Sequence, residues 1–239
     1  VEPNGVSFKA HKTREAEFIG GRDKWFRPID TRIGPDGALY ITDFYNQAVA
    51  HNDTRGTIHG PANAALRPDR DHYFGRIWRV NHKQAKTLKV PNIAKASTKD
   101  LVEALQNPNR HVRQNAQRLL VEHNDPKTPD ATKRLLGSSS FRGLEEAQMH
   151  ALWALHLMGR LDGAVLQQAL AVDGKPAVQK AALRIAAEIP AAKRSDVTAG
   201  ILRRVNDSNV RVRLEAINAL ASLPSTPEIR QTLVEAYPG

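Results

Sequence analysis

Three histidines, His51, His59 and His72, lie in or beside a stretch that also holds Asp43, Asp53 and Asp71. An imidazole oriented by a carboxylate is a general base, able to take a hydroxyl proton while a hydride leaves the adjoining carbon. The same side chains have an ordinary use in loops, where they bond backbone groups and hold a turn closed. Asp43 ends the run Leu39 to Thr42, so it is either a ligand delivered by a strand to one face or a cap on the next turn. Arg27, Arg70 and Arg76 carry planar guanidinium groups suited to bidentate carboxylate pairs, with an ion pair inside the fold as the plainer role. Arg113, Arg211 and Arg213 follow turns, the last two after Asp207. A row of such arginines can grip a phosphate backbone, but their position at helix starts suits ties between turns better, and nucleic-acid binding is the disfavoured reading. HExxH, the P-loop, GxGxxG and GxSxG motifs are all absent.

These candidates sit in a segment, residues 1–95, whose apolar residues recur at every second position, the period of strands. Val6, Phe8 and Ala10 form one such run; Ile29, Thr31 and Ile33 form another; Leu39 and Ile41 form a third. Gly34-Pro35-Asp36-Gly37 separates the last two. Pro35 presets φ, Asp36 accepts local backbone bonds and Gly37 can take φ > 0, so a hairpin is expected. A further strand, Gly75 to Val80, follows some thirty residues, 44–74, with neither period. Loops of that length are commonly functional or disordered. Trp25, Phe26 and Trp78 are expected core, because small sheets need large apolar side chains.

From Ser97 the spacing changes to three and four and alanine becomes frequent. Ser97 to Asp100 resembles a capping box, and Asn107-Pro108-Asn109 separates a first short helix from a second at about residues 110–122. Four second helices align as Val112-Arg113-Gln114-Asn115-Ala116, Ala147-Gln148-Met149-His150-Ala151, Val178-Gln179-Lys180-Ala181-Ala182 and Val212-Arg213-Leu214-Glu215-Ala216. Their final alanines recur at intervals of 35, 31 and 34. Helix pairs with a period in the thirties indicate stacked units, with a small residue where helices approach closely. His150 and Trp153 are expected in that core, and Pro227 to Tyr237 begins a fifth unit.

The whole chain has 239 residues, with 35 Lys and Arg against 25 Asp and Glu and no cysteine. It cannot hold a disulfide, a thiolate zinc site, an iron–sulfur cluster or covalently attached haem. The formal charge of +10 is spread over both segments, with no groove-tracking run. No apolar run reaches the roughly 20 residues of a membrane span. The opening Val1-Glu2-Pro3-Asn4-Gly5 lacks a signal peptide and suggests a piece of a longer protein.

The strings Trp25-Phe26-Arg27-Pro28-Ile29-Asp30, Gly34-Pro35-Asp36-Gly37-Ala38-Leu39-Tyr40-Ile41-Thr42-Asp43-Phe44-Tyr45-Asn46, His51 and Arg70-Asp71-His72-Tyr73-Phe74-Gly75-Arg76-Ile77-Trp78-Arg79-Val80 carry a resemblance. Together they resemble the last propeller blade of the membrane-bound dehydrogenase domain in PVC-type haem-binding CxxCH proteins. That domain is similar to quinoprotein glucose and sorbosone dehydrogenases. The turns at 107–113 and 207–213 resemble those of HEAT-like repeats.

The resemblance implies a β + α multidomain fold. Residues 1–95 would be the terminal part of a β-propeller, with about five strands. Residues 96–239 would be an α-solenoid of HEAT-like helix pairs, about four plus the start of a fifth. It further implies a fragment of an exported, periplasmic dehydrogenase that oxidises a sugar or alcohol. Electrons would pass to a cytochrome c domain, or another acceptor, outside the chain. His51 matches a recurring family position and becomes the implied base. Arg27, Asp43, Arg76 and His72 become the implied contacts to pyrroloquinoline quinone. The chain alone holds no cofactor in this reading: quinone and calcium belong to the whole propeller, haem c to a missing domain, and the metal ligands stay open. The alternative is a non-catalytic scaffold with a protein partner on the solenoid.

Overall fold

A computed structural model describes residues 1–12, 14–46, 74–86, 88–137, 145–189 and 195–236. The chain divides into two compact units, one of Lys12–Val90 and one that joins Val1–His11 to Pro91–Gly239.

The first unit is built on three antiparallel strands, β3 (Pro28–Ile33), β4 (Leu39–Asp43) and β5 (Arg76–Val80), in that order. The β3–β4 hairpin closes where the turn residues predict it. Gly34 donates to Ala38 O and Gly37 to Gly34 O at 2.9 and 3.0 Å, Gly37 has φ +79°, and the Asp36 carboxylate receives the Ala38 amide. Register sets Ile41 between Thr31 and Trp78 and Asp43 between Pro28 and Arg76. A bulge at Ile29 interrupts the alternation on β3 and leaves that side chain exposed. Ile41 is buried at the centre, whereas Trp25 and Phe26 are half-buried and Trp78 is 43% exposed, so the aromatic core expected from sequence is only partly enclosed.

The expected propeller blade does not form, and the fold class is corrected accordingly. The five strands are divided between two sheets. β1 (Glu2–Asn4) and β2 (Ser7–Lys9) pair only with each other, in the other unit, and the remaining sheet has three strands among the described residues. A period of two marks a strand without naming its neighbour. Here the two-residue turn at Gly5-Val6, with Gly5 at φ +57°, lets β1 and β2 close locally, which involves far less loop-closure entropy than joining a distant sheet.

The helical unit contains α1 (Thr98–Ala104), α2 (Arg110–His123), α3 (Thr128–Gly137), α4 (Glu145–Leu157), α5 (Gly163–Ala171), α6 (Pro176–Glu188), α7 (Ser195–Arg204), α8 (Val210–Ala221) and α9 (Pro227–Ala236). Successive helices pack as pairs up to α8, and the second helices α2, α4, α6 and α8 pack on one another in turn. Ser97 caps α1 by accepting the Asp100 amide, Asn109 caps α2, and Asn124 ends α2 at φ +46°. The four recurring alanines, Ala116, Ala151, Ala182 and Ala216, are all fully buried. Around them Leu101, Leu105, Leu120, Leu152, Leu170, Leu183, Ile201 and Leu220 lose essentially all solvent contact, each worth roughly 1.5–3 kcal/mol. No helix among the described residues is long and apolar enough to cross a membrane.

Candidate functional site

Strand β4 delivers Asp43 to the end of the sheet, 2% exposed. Its Oδ1 accepts the Arg27 and Tyr45 amides at 2.7 and 2.9 Å, and Oδ2 accepts the indole N–H of Trp78 at 2.9 Å. Burial alone would raise this carboxyl, yet the bonds from Trp78, Arg27 and Tyr45, with the Arg76 charge, hold it below the usual carboxylate range. Tyr45 sits at φ +43°, a left-handed conformation that costs a β-carbon residue about 1 kcal/mol or more. Its amide bond to Asp43 and its ring contact with Trp25, centroids 5.5 Å apart, hold it there.

Arg76 opens β5 directly opposite Asp43. Its guanidinium lies 3.4 Å from the Tyr45 ring centroid and 5.8 Å from that of Trp78, and it meets Asp23 at 3.4 Å. Arg27 donates to the carbonyls of Lys24 and Phe26 at 2.6 and 2.9 Å. Three of the nominated residues, Arg27, Asp43 and Arg76, therefore do converge, and each holds backbone or aromatic groups of its own unit. As arranged, Arg76 is stacked on Tyr45 and ion-paired with Asp23, and Asp43 faces inward. His51 and His72, with His59, Asp53, Arg70 and Asp71, lie outside the described residues. Among the described residues no group of three His, Asp or Glu is placed to hold a metal ion. Beside the cluster a cleft of about 190 Å³ runs between Ile19–Asp23 and the sheet residues Ile41, Trp78 and Val80.

The polar interior of the helical unit follows the repeat. Arg113, Gln148, Gln179 and Arg213 share one position in the four aligned second helices, and each donates to a carbonyl of the preceding segment: the turn before its own helix for Arg113, Gln179 and Arg213, and the last turn of α3 for Gln148. Arg113 reaches Asn107 and Pro108, Gln148 reaches Leu135, Gln179 reaches Val172 and Arg213 reaches Asp207. The expected arginine ties thus bind their own turns. One tie between neighbouring pairs is Arg204, 4% exposed, which reaches Leu170 O, Val172 O, Asp173 and Asp207. Sequence reasoning missed Arg204 and the two glutamines, although Gln148 and Gln179 already stood in register with the arginines. Glu145 at the start of α4 receives the Ala177 amide of α6, whose own N-cap side chain makes no such bond.

Arg211 is engaged differently from its neighbours, with the N-terminal hairpin. His150 is buried, as expected, with Nδ1 2.5 Å from Gln117 Oε1. Burial, reinforced by the charges of Arg113 and Arg110, pushes its imidazole down to about 4.

Residues 1–84 match a family described as a domain of unknown function, DUF7133. No curated protein matches the chain. Among solved structures it is similar to the crystal structure of an engineered protein from the Northeast Structural Genomics Consortium. That likeness has a TM-score of 0.36 and 21% identity, over 58% of this chain and 67% of that one. A score that low carries no argument about fold or function.

Proposed function

We propose that this chain is a non-catalytic scaffold, a stack of helix pairs that presents its flank to a protein partner. The observation that supports this most is the inward commitment of Asp43, whose two oxygens receive three donors from the unit that carries it. A buried carboxylate so occupied ties β4 to β5 and to the preceding loop, and Arg76 beside it is held by Tyr45 and Asp23. Arg27, Asp43 and Arg76, three of the four residues that the family resemblance assigns to a cofactor, thus each have an architectural role, and the fourth, His72, lies outside the described residues.

A second reading rests on their convergence. Arg27, Asp43 and Arg76 gather at the sheet end where β4 stops and β5 begins, and the intervening sequence carries His51 and His72. In that reading the chain belongs to a periplasmic sugar- or alcohol-oxidising enzyme whose electrons leave for a haem c domain outside it. Calorimetric titration of the full chain with pyrroloquinoline quinone and calcium separates the two. The scaffold reading expects no saturable binding. Saturable binding that Arg76→Ala abolishes without a change in melting temperature would favour the enzyme.

A further inference from the structure

The turn Asn4-Gly5-Val6-Ser7 at the tip of the β1–β2 hairpin points two of its carbonyls, those of Val6 and Ser7, at one side chain. Arg211 in the first turn of α8 donates Nε–H to Val6 O at 3.3 Å and Nη2–H to Ser7 O at 2.8 Å, and its guanidinium lies 4.1 Å from the Phe8 ring centroid. Hairpin and helix belong to the same compact unit although they are 205 residues apart in sequence. The guanidinium is itself positioned, because Asn209 accepts the Arg211 amide and the adjacent Arg213 is fixed on Asp207 O. Within itself the hairpin has the Ser7 hydroxyl on Asn4 O and His11 against Glu2, but all six of its strand residues are exposed, and Phe8 is 60% exposed. An isolated two-stranded hairpin is marginal in water. Its order therefore depends on what it touches.

We infer that the start of α8 is a strand-recognition surface, centred on Arg211 and filled in cis by Val6-Ser7-Phe8. The ligand chemistry is specific. Two successive backbone carbonyls match the forked donors of one guanidinium, and an aromatic side chain at the next position offers its face to the cation. A lysine has the charge but not the fork, and an aliphatic residue in place of Phe8 has the bulk but not the quadrupole. This surface is intramolecular and goes beyond the scaffold reading, which needs an external partner.

Hydrogen exchange on the full chain tests it. Arg211→Ala and Phe8→Leu should each speed exchange of amides in residues 1–11 about tenfold, the loss of roughly 1.4 kcal/mol of docking, and leave α8 protected. Arg211→Lys should behave almost like Arg211→Ala. A second arm adds a disulfide-cyclised peptide of residues 1–11, preformed as a hairpin. It should bind the Phe8→Leu chain at least about tenfold more tightly than the wild type, where the surface is taken. It should lose that binding when Arg211→Ala is added. Unchanged exchange of residues 1–11 in Arg211→Ala, or no binding of the cyclised peptide to Phe8→Leu, would overturn the inference.

Discussion

Gln148 and Gln179 do the same thing one helix pair apart. Each sends its carboxamide back to a carbonyl at the end of the preceding helix, Gln148 to Leu135 at 2.8 Å and Gln179 to Val172 at 2.9 Å, and both are almost wholly buried. Arg113 and Arg213 take the same place in the first and last of the four pairs. The repeat thus places one donor per unit, an amide or a guanidinium, on a carbonyl at the end of the first helix or in the turn that follows it, with Arg213 the half-buried member.

A leucine at either glutamine would keep the volume and remove a buried donor, from Leu135 O in one case and in the other from Val172 O, which Arg204 also reaches. Gln148→Leu and Gln179→Leu are each expected to lower the unfolding free energy in urea by about 1–2 kcal/mol. Gln148→Leu should be the costlier, since Lys175 loses its acceptor and Leu135 O its donor, whereas Val172 O and Asp207 keep Arg204 as a donor.

His150 makes the helical unit sensitive to acid. Its folded pKa, about 4, lies below its ordinary 6.5. The unfolded chain therefore binds a proton first as pH falls, and stability present above 6.5 is lost between 6.5 and about 4. Unfolding measured across that window should show a loss of about 2 kcal/mol attributable to this group. His150→Leu should flatten that part of the profile while lowering stability at pH 7, because Gln117 loses its partner.

Much of this architecture is written in short-range patterns, and what is missing is long-range. Gly34 to Gly37, Ser97 with Asp100, and the alanines at 116, 151, 182 and 216 each act on neighbours a few residues or one helix away, so their roles are legible. Strand partnership is not, because Phe8 and Ile41 have the same alternating pattern whichever sheet receives them. The bulge at Ile29 breaks a run that looks regular in sequence. Arg211 looks like Arg213 until the hairpin is seen against it. For the candidate site, Arg27, Asp43 and Arg76 are legible as candidates by residue type, but their convergence, and the answering groups of Trp78 and Tyr45, follow from sheet register and a left-handed turn. His51 and His72 lie outside the described residues.

The β3–β4 turn offers a local check. A methyl added at Gly34 would fall 2.3 Å from Tyr40 Cε2 and 2.7 Å from Cδ2, and the ring is pinned by its hydroxyl on Asp36 at 3.2 Å. Gly34→Ala should destabilise the sheet unit by about 1–3 kcal/mol. The same substitution in a Tyr40→Ala background should cost much less, which thermal unfolding of the four chains would reveal.

The most direct test of the account is the coupling between Asp43 and Trp78, measured by a double-mutant cycle in urea on the full chain. Asp43→Asn turns an acceptor into an amide facing the indole N–H, and Trp78→Phe removes that N–H. If the carboxylate serves to hold the sheet together, the two losses will be non-additive by about 1–2 kcal/mol. Additive losses, with Asp43→Asn leaving stability unchanged, would contradict the structural role assigned to Asp43 and with it the scaffold reading.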